Sequence, residues 1–292
     1  MESKRVAKAA NQSNNSALAK VVAAMAKVPG VCAIGLGGSR SIGTADATSD
    51  YDVIIFTETD DSLDTAAVHE TVVALGGLLK TSKRRPGEPL LGELAIDGAH
   101  LELFFRKISM IKTEIGSARN GRFSRVFNPL HVIGLISTIT ISYATYCLPI
   151  WDPEERLKRL IESAFPYPEA LRIQMIKSFR TEAKTALTFA GKARSPDDVA
   201  HIAGLYARVT SAWNLVLFAA NRRYPVIDKG GRRIVGNLPQ SPADFTARTN
   251  AVFKAVGAGD FKGAFAQAQA LHAEVLAIAD ASQSERIGDA AA

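Results

Sequence analysis

The 292-residue chain is 47% hydrophobic and 22% charged, the balance of an ordinary globular protein, which excludes intrinsic disorder. Its longest apolar stretch, residues 132–146, is interrupted by Ser137, Thr138, Thr140 and Ser142 and falls short of the roughly 20 residues that span a bilayer, so no membrane partner is expected. A formal net charge of +6 favours anionic partners such as nucleotides or RNA without specifying a fold.

Residues 1–16 are polar and lack the apolar core of a secretory signal, so a cytoplasmic location is expected. Residues 17–27 are Ala-rich with the apolar spacing of a helix, and Pro29-Gly30 ends it before an apolar strand at 31–36. A turn of small residues, Gly37-Gly38-Ser39, follows. Ten residues intervene before Asp50-Tyr51-Asp52 opens a second apolar run at 53–56. The acidic patch 58–64 leads into a helix predicted over 65–79, and Lys80, Lys83, Arg84 and Arg85 mark a basic loop over 80–89. Strands at 90–96 and 100–105 are joined at Asp97-Gly98, a pair that tolerates the positive φ angles of a two-residue hairpin.

From Ile108 the spacing becomes helical. The run 132–146 reads as a buried helix, and further helices are predicted over 169–192, over 196–223 with Ser195 as N-cap, and over 243–256. Residues 227–236 read as a Gly-rich hairpin or loop, and 281–292 as a frayed tail. The expected fold class is α+β, with a mixed β-sheet and flanking helices over 1–107 followed by an all-helical domain over 108–292 that closes the substrate cleft. Cys32 and Cys147, each in an apolar segment, fit reduced core thiols.

The chemistry concentrates between residues 37 and 102. Side chains two apart on a strand share a face, so Asp50 and Asp52 point together. Two carboxylates so close repel unless a cation sits between them, and hard oxygen donors suit magnesium shared with substrate phosphates. Gly37, Gly38 and Ser39 let backbone approach a phosphate closely. Two-metal phosphoryl chemistry calls for a third carboxylate from a neighbouring strand. Glu102 is the candidate, because it is a charge between apolar neighbours, on one strand face with His100 and Phe104.

An apolar strand, Gly-Gly-Ser, a spacer, Asp-apolar-Asp and a later strand carboxylate together resemble the nucleotidyltransferase superfamily with the DNA polymerase beta fold. The motifs cover about residues 30–106. The helical half, with Leu148-Pro-Ile-Trp-Asp-Pro153 and Leu217-Phe-Ala-Ala-Asn-Arg-Arg-Tyr-Pro225, is more loosely similar to small bacterial aminoglycoside and lincosamide nucleotidyltransferases. The resemblance implies transfer of a nucleoside monophosphate from a nucleoside triphosphate, ATP by default, to an acceptor hydroxyl with loss of pyrophosphate. It implies that Asp50 and Asp52 hold two Mg2+ ions, that Glu102 completes the site or takes the acceptor's proton, and that Ser39 with neighbouring backbone binds the outgoing phosphates.

Arg40, just after the turn, is a candidate for the phosphates, and so is the basic stripe Lys177, Arg180 and Lys184 at helical spacing on 169–192. Glu182 and Asp152 are alternative bases. The acceptor stays open between a small molecule such as an antibiotic, RNA and a protein hydroxyl. The opposing reading is a catalytically silent nucleotide-binding regulator, such as one half of a toxin–antitoxin pair.

Overall fold

A computed structural model describes residues 16–46, 48–59, 62–79, 91–129, 131–192, 195–226 and 228–289. The basic loop expected over 80–89 lies outside them. The chain divides into two compact units, Met1–Ile115 with Thr140–Phe165 and Gly116–Ile139 with Pro166–Ala292. The single cut after residue 107 expected from sequence does not describe this division, because a later strand returns to the first sheet.

The first unit contains α1 (Ser16–Met25), β1 (Val31–Leu36), the one-turn α2 (Gly38–Ser41), β2 (Tyr51–Thr57), α3 (Thr65–Ala74), β3 (Leu78–Leu79), β4 (Leu91–Ile96) and β5 (Ala99–Lys107). α4 (Ile108–Arg119) carries the chain across the boundary, and α5 (Ile139–Thr145), β8 (Leu148–Trp151) and α6 (Arg156–Ser163) bring it back to the first unit. The sheet runs β3-β4-β5-β2-β1-β8 and is mixed: β2 and β5 are parallel, and every other pair is antiparallel.

Period-two alternation divides the strands' side chains between two faces. Tyr51, Val53 and Ile55 of β2 and Leu101, Leu103 and Phe105 of β5 pack with Ala17, Val21 and Met25 of α1 and Val68 and Val72 of α3. Each fully buried large apolar side chain in such a cluster contributes about 1.5–3 kcal/mol. The opposite face therefore receives Asp52, Ile54 and Phe56 from β2, and Glu102, Phe104 and Arg106 from β5. The β4–β5 hairpin turns on Asp97 and Gly98 with φ of 51° and 79°, the pair of positive angles a type I′ turn requires. Leu78 and Leu79, expected to end a helix, instead form a short strand pairing with Glu93 and Gly92.

Among its described residues the second unit is helical apart from a ribbon in which β6 (Arg125–Val126) pairs with β7 (Leu135–Ile136). That ribbon breaks the helix expected over 132–146, and it is clipped by the Ser137 hydroxyl accepting from the Ser124 amide at 3.0 Å. α7 (Glu169–Ala190), α8 (Val199–Ala220), α9 (Asp228–Gly236), α10 (Phe245–Gly257) and α11 (Phe261–Asp289) make up the rest. Ser195 caps as expected, accepting from the Asp197 amide, but it opens a 3-10 turn, Pro196–Asp198, ahead of α8.

α8 is long and apolar enough to cross a bilayer by length and composition, and 72% of its most apolar stretch is buried in the protein. Burial on all sides is what an all-round apolar helix requires. Trp213 donates to His272 Nδ1 at 3.0 Å, and Trp213, Phe218 and Tyr224 are buried in the core. Residues 228–236 are helical where a loop was expected. Val235, fully buried, anchors α9. α11 reaches Asp289, so most of the tail expected to fray is helical.

Candidate metal centre

The parallel register of β2 and β5 builds the site. Asp52 lies opposite Glu102, and Tyr51 lies opposite Leu101, so Asp50, one residue ahead of β2, comes beside His100. The antiparallel register then sets Glu93 of β4 opposite Glu102. Three carboxylates, Asp52, Glu102 and Glu93, thus occupy one row across three adjacent strands. Like charges directly opposite one another on a sheet repel.

One potential ligand atom from each of Asp50, His100 and Glu102 lies within 4.8 Å of the others, at a spacing that can hold a metal ion. His100 Nδ1 is 3.2 Å from Asp50 Oδ1. Asp50 and His100 are exposed and Glu102 is partly buried, which leaves the group open to solvent and substrate. Two carboxylates and an imidazole are an appropriate donor set for a divalent cation.

Asp52, expected beside Asp50 in the same ligand set, is not part of that group. Its carboxylate turns toward the small-residue turn. Gly38 has φ of +61°, and a Cβ there would fall 1.7 Å from Asp52 Oδ2. Only glycine therefore allows the turn to lie against this carboxylate. The Gly37 amide donates to the Asp52 carbonyl at 2.7 Å, fixing the turn to the start of β2. Ser39 lies in α2, where its carbonyl accepts from the Thr44 amide at 2.9 Å.

Arg40, a candidate for the phosphates, holds the loop to the strand. Its Nη2 donates to the Ser49 carbonyl at 2.5 Å and its Nε to the Asp50 carbonyl at 3.1 Å, while the guanidinium stacks 3.8 Å over the Tyr51 ring. The planar fork thereby ties the loop to the strand at the residue that carries the first carboxylate. Asp46 orders the same loop, accepting from the Thr48 amide and hydroxyl and from the Ser49 hydroxyl. Those bonds, Thr48's side chain first, hold its carboxyl below the usual range.

The remaining sequence candidates lie on other elements. Lys177 and Lys184 are exposed on α7 of the second unit. Glu182, an alternative base, accepts from Arg125 at 2.6 Å and Arg208 at 2.5 Å. Asp152, the other, accepts from the Leu157 and Lys158 amides and so caps α6. Cys32 and Cys147 are free thiols whose pKa values burial pushes up to about 11 and about 12, leaving them protonated and unreactive. His100 is the residue that sequence reasoning missed. The available signal was its place two before Glu102 on the same strand face, which spacing rules for histidine clusters do not weigh.

No protein-family model matches the chain, and no curated protein matches it. Among solved structures it is similar to a nucleotidyltransferase-like protein from Exiguobacterium sibiricum 255-15, at 10% identity and a TM-score of 0.33, over 91% of this chain and 76% of that one. The chemistry of the site therefore rests on the residues of this chain.

Proposed function

We propose that the protein is a divalent-metal-dependent nucleotidyltransferase, acting in the cytoplasm, that moves a nucleoside monophosphate from a nucleoside triphosphate, ATP by default, to an acceptor hydroxyl. The observation that carries this reading is the contact between the small-residue turn and the acidic row. Gly38 packs against Asp52, and Asp52 is in register with Glu102, two residues along the strands from Asp50 and His100. A triphosphate lying along the turn would meet close backbone on one side and cation-holding side chains on the other.

In this reaction the acceptor oxygen bonds to the α-phosphorus, the bond from that phosphorus to the bridging β-oxygen breaks, and pyrophosphate leaves. A bound cation would supply charge neutralisation at the phosphates and at the attacking oxygen. Asp50, His100 and Glu102 would hold it, Asp52 would extend the site toward the turn, and a carboxylate of the row would receive the acceptor's proton. Arg40 would keep Asp50 in position. Catalysis of this kind is mostly positioning and electrostatic stabilisation. The acceptor class, whether small molecule, RNA or protein hydroxyl, is to be found with labelled nucleotide.

The test is metal-dependent release of pyrophosphate from each nucleoside triphosphate over a panel of acceptors. Asp52→Ala is expected to lower it by at least about 10²–10³-fold. Nucleotide binding without turnover over the whole panel would overturn the enzymatic reading in favour of the regulatory one.

A further inference from the structure

We infer that His100 is a metal ligand, and that the Asp50–His100–Glu102 group binds a borderline first-row cation such as Co2+ or Zn2+ in preference to Mg2+, before any nucleotide arrives. The inference rests on the reading of this group as the metal centre and adds the identity of its ion.

Three observations carry it. First, the mutually close atoms belong to two carboxylates and one imidazole, whereas the set expected for magnesium was three carboxylates. Mg2+ demands hard oxygen donors and gives up its waters reluctantly, while imidazole favours the transition ions. Second, the third carboxylate of the expected set, Asp52, is committed to the Gly38 side, so the imidazole occupies the place it would have taken. Third, the loop that presents Asp50 is already braced by Arg40 and Asp46, and His100 and Glu102 stand on one strand of the sheet. A preorganised donor set needs little further ordering on binding, and that allows affinity for the ion alone.

The experiment uses the full metal-free chain without nucleotide and titrates CoCl2 and MgCl2 separately by calorimetry, with the visible absorption of bound Co2+ reporting its ligands. Wild-type protein is expected to bind Co2+ at least about 10-fold more tightly than Mg2+, following the ligand preferences of the two ions. His100→Gln is expected to weaken Co2+ by about 10- to 100-fold, on the scale that even outer-shell losses cost. It should also shift the Co2+ spectrum and leave weak Mg2+ binding nearly as it was. His100→Asp, which restores an all-oxygen set, is expected to narrow the gap between the ions. Melting curves identify the folded variants.

Folded His100→Gln and His100→Asp proteins that bind Co2+ as tightly as wild type, with an unchanged spectrum, would overturn the inference. So would a larger loss of Co2+ affinity from Asp52→Asn than from His100→Gln. Failure of the enzymatic reading looks different: Co2+ bound through His100 with no pyrophosphate from any triphosphate. Turnover accompanied by Co2+ affinity indifferent to His100 sinks only the present inference.

Discussion

The two ends of β2 carry acids in opposite circumstances. At its C-terminal end Glu58 accepts from Lys112 Nζ at 2.9 Å and from Arg156 Nη1 at 3.2 Å, and the Lys112 hydrogen bond, reinforced by Arg156, holds its carboxyl below the ordinary value against the effect of burial. At the N-terminal end Asp50 groups with His100 and Glu102, Glu102 lies opposite Asp52 and Glu93, and the nearby guanidinium of Arg40 donates to the Ser49 and Asp50 carbonyls. An acid supplied with bases belongs to the architecture. Acids gathered in register on one row, with an exposed imidazole beside them, form a group whose spacing can hold a cation.

Neutralising one member of the acidic row tests that contrast most severely. Glu102→Gln is expected to cut pyrophosphate release by about 10²–10³-fold. In chelator its melting temperature should equal or exceed wild type by up to about 2–4 °C, because one of three facing charges is gone. A clear fall in metal-free stability would mean that Glu102 is paired structurally, like Glu58. Gly38→Ala comes next. The added Cβ meets Asp52 Oδ2 and the φ of +61° disfavours it, costing roughly 1–2 kcal/mol in conformation. A carboxylate displaced by ~1 Å should slow turnover about 10²-fold, and unchanged kinetics would detach the turn from the chemistry.

The smallest effect is expected at the other end. Glu58→Gln should leave turnover at the wild-type level and lower the melting temperature by no more than about 2–4 °C, as befits a partly exposed pair. Because the folded-state pKa of Glu58 is depressed, its contribution is present above about pH 4.5 and is lost as pH falls through the folded value. The difference between wild type and variant should therefore vanish in acid, and a difference that persisted there would break the electrostatic account.

Local rules made much of this legible in the sequence. The Gly-Gly-Ser turn, the strand opening at Asp50-Tyr51-Asp52, the Asp97-Gly98 hairpin and the Ser195 cap each depend on conformations that a few adjacent residues dictate. The α+β class followed from the switch between two periodicities. What escaped depended on register between distant strands. Glu102 could be nominated from its own strand, but only the β2–β5 pairing brings His100 beside Asp50, and only the β4–β5 pairing sets Glu93 opposite Glu102. Arg40 was nominated for the phosphates from its place just after the turn, and its carbonyl partners are supplied by the fold of a loop that sequence cannot trace. The same reason applies to 227–236 and 132–146, where tertiary burial of Val235 and pairing of Leu135–Ile136 overrode the local signal.

β8 carries a consequence for how the protein is made. It pairs with β1 through Ile34, Gly35 and Leu36, yet it is translated after residues 116–139, which belong to the other unit. Until Trp151 has emerged, the edge of β1 has open amides and carbonyls that other chains can join. A fragment ending at residue 107 would keep every side chain of the acidic row and lack the strand that shields its flank, so it is expected to self-associate where a chain continued through residue 165 does not.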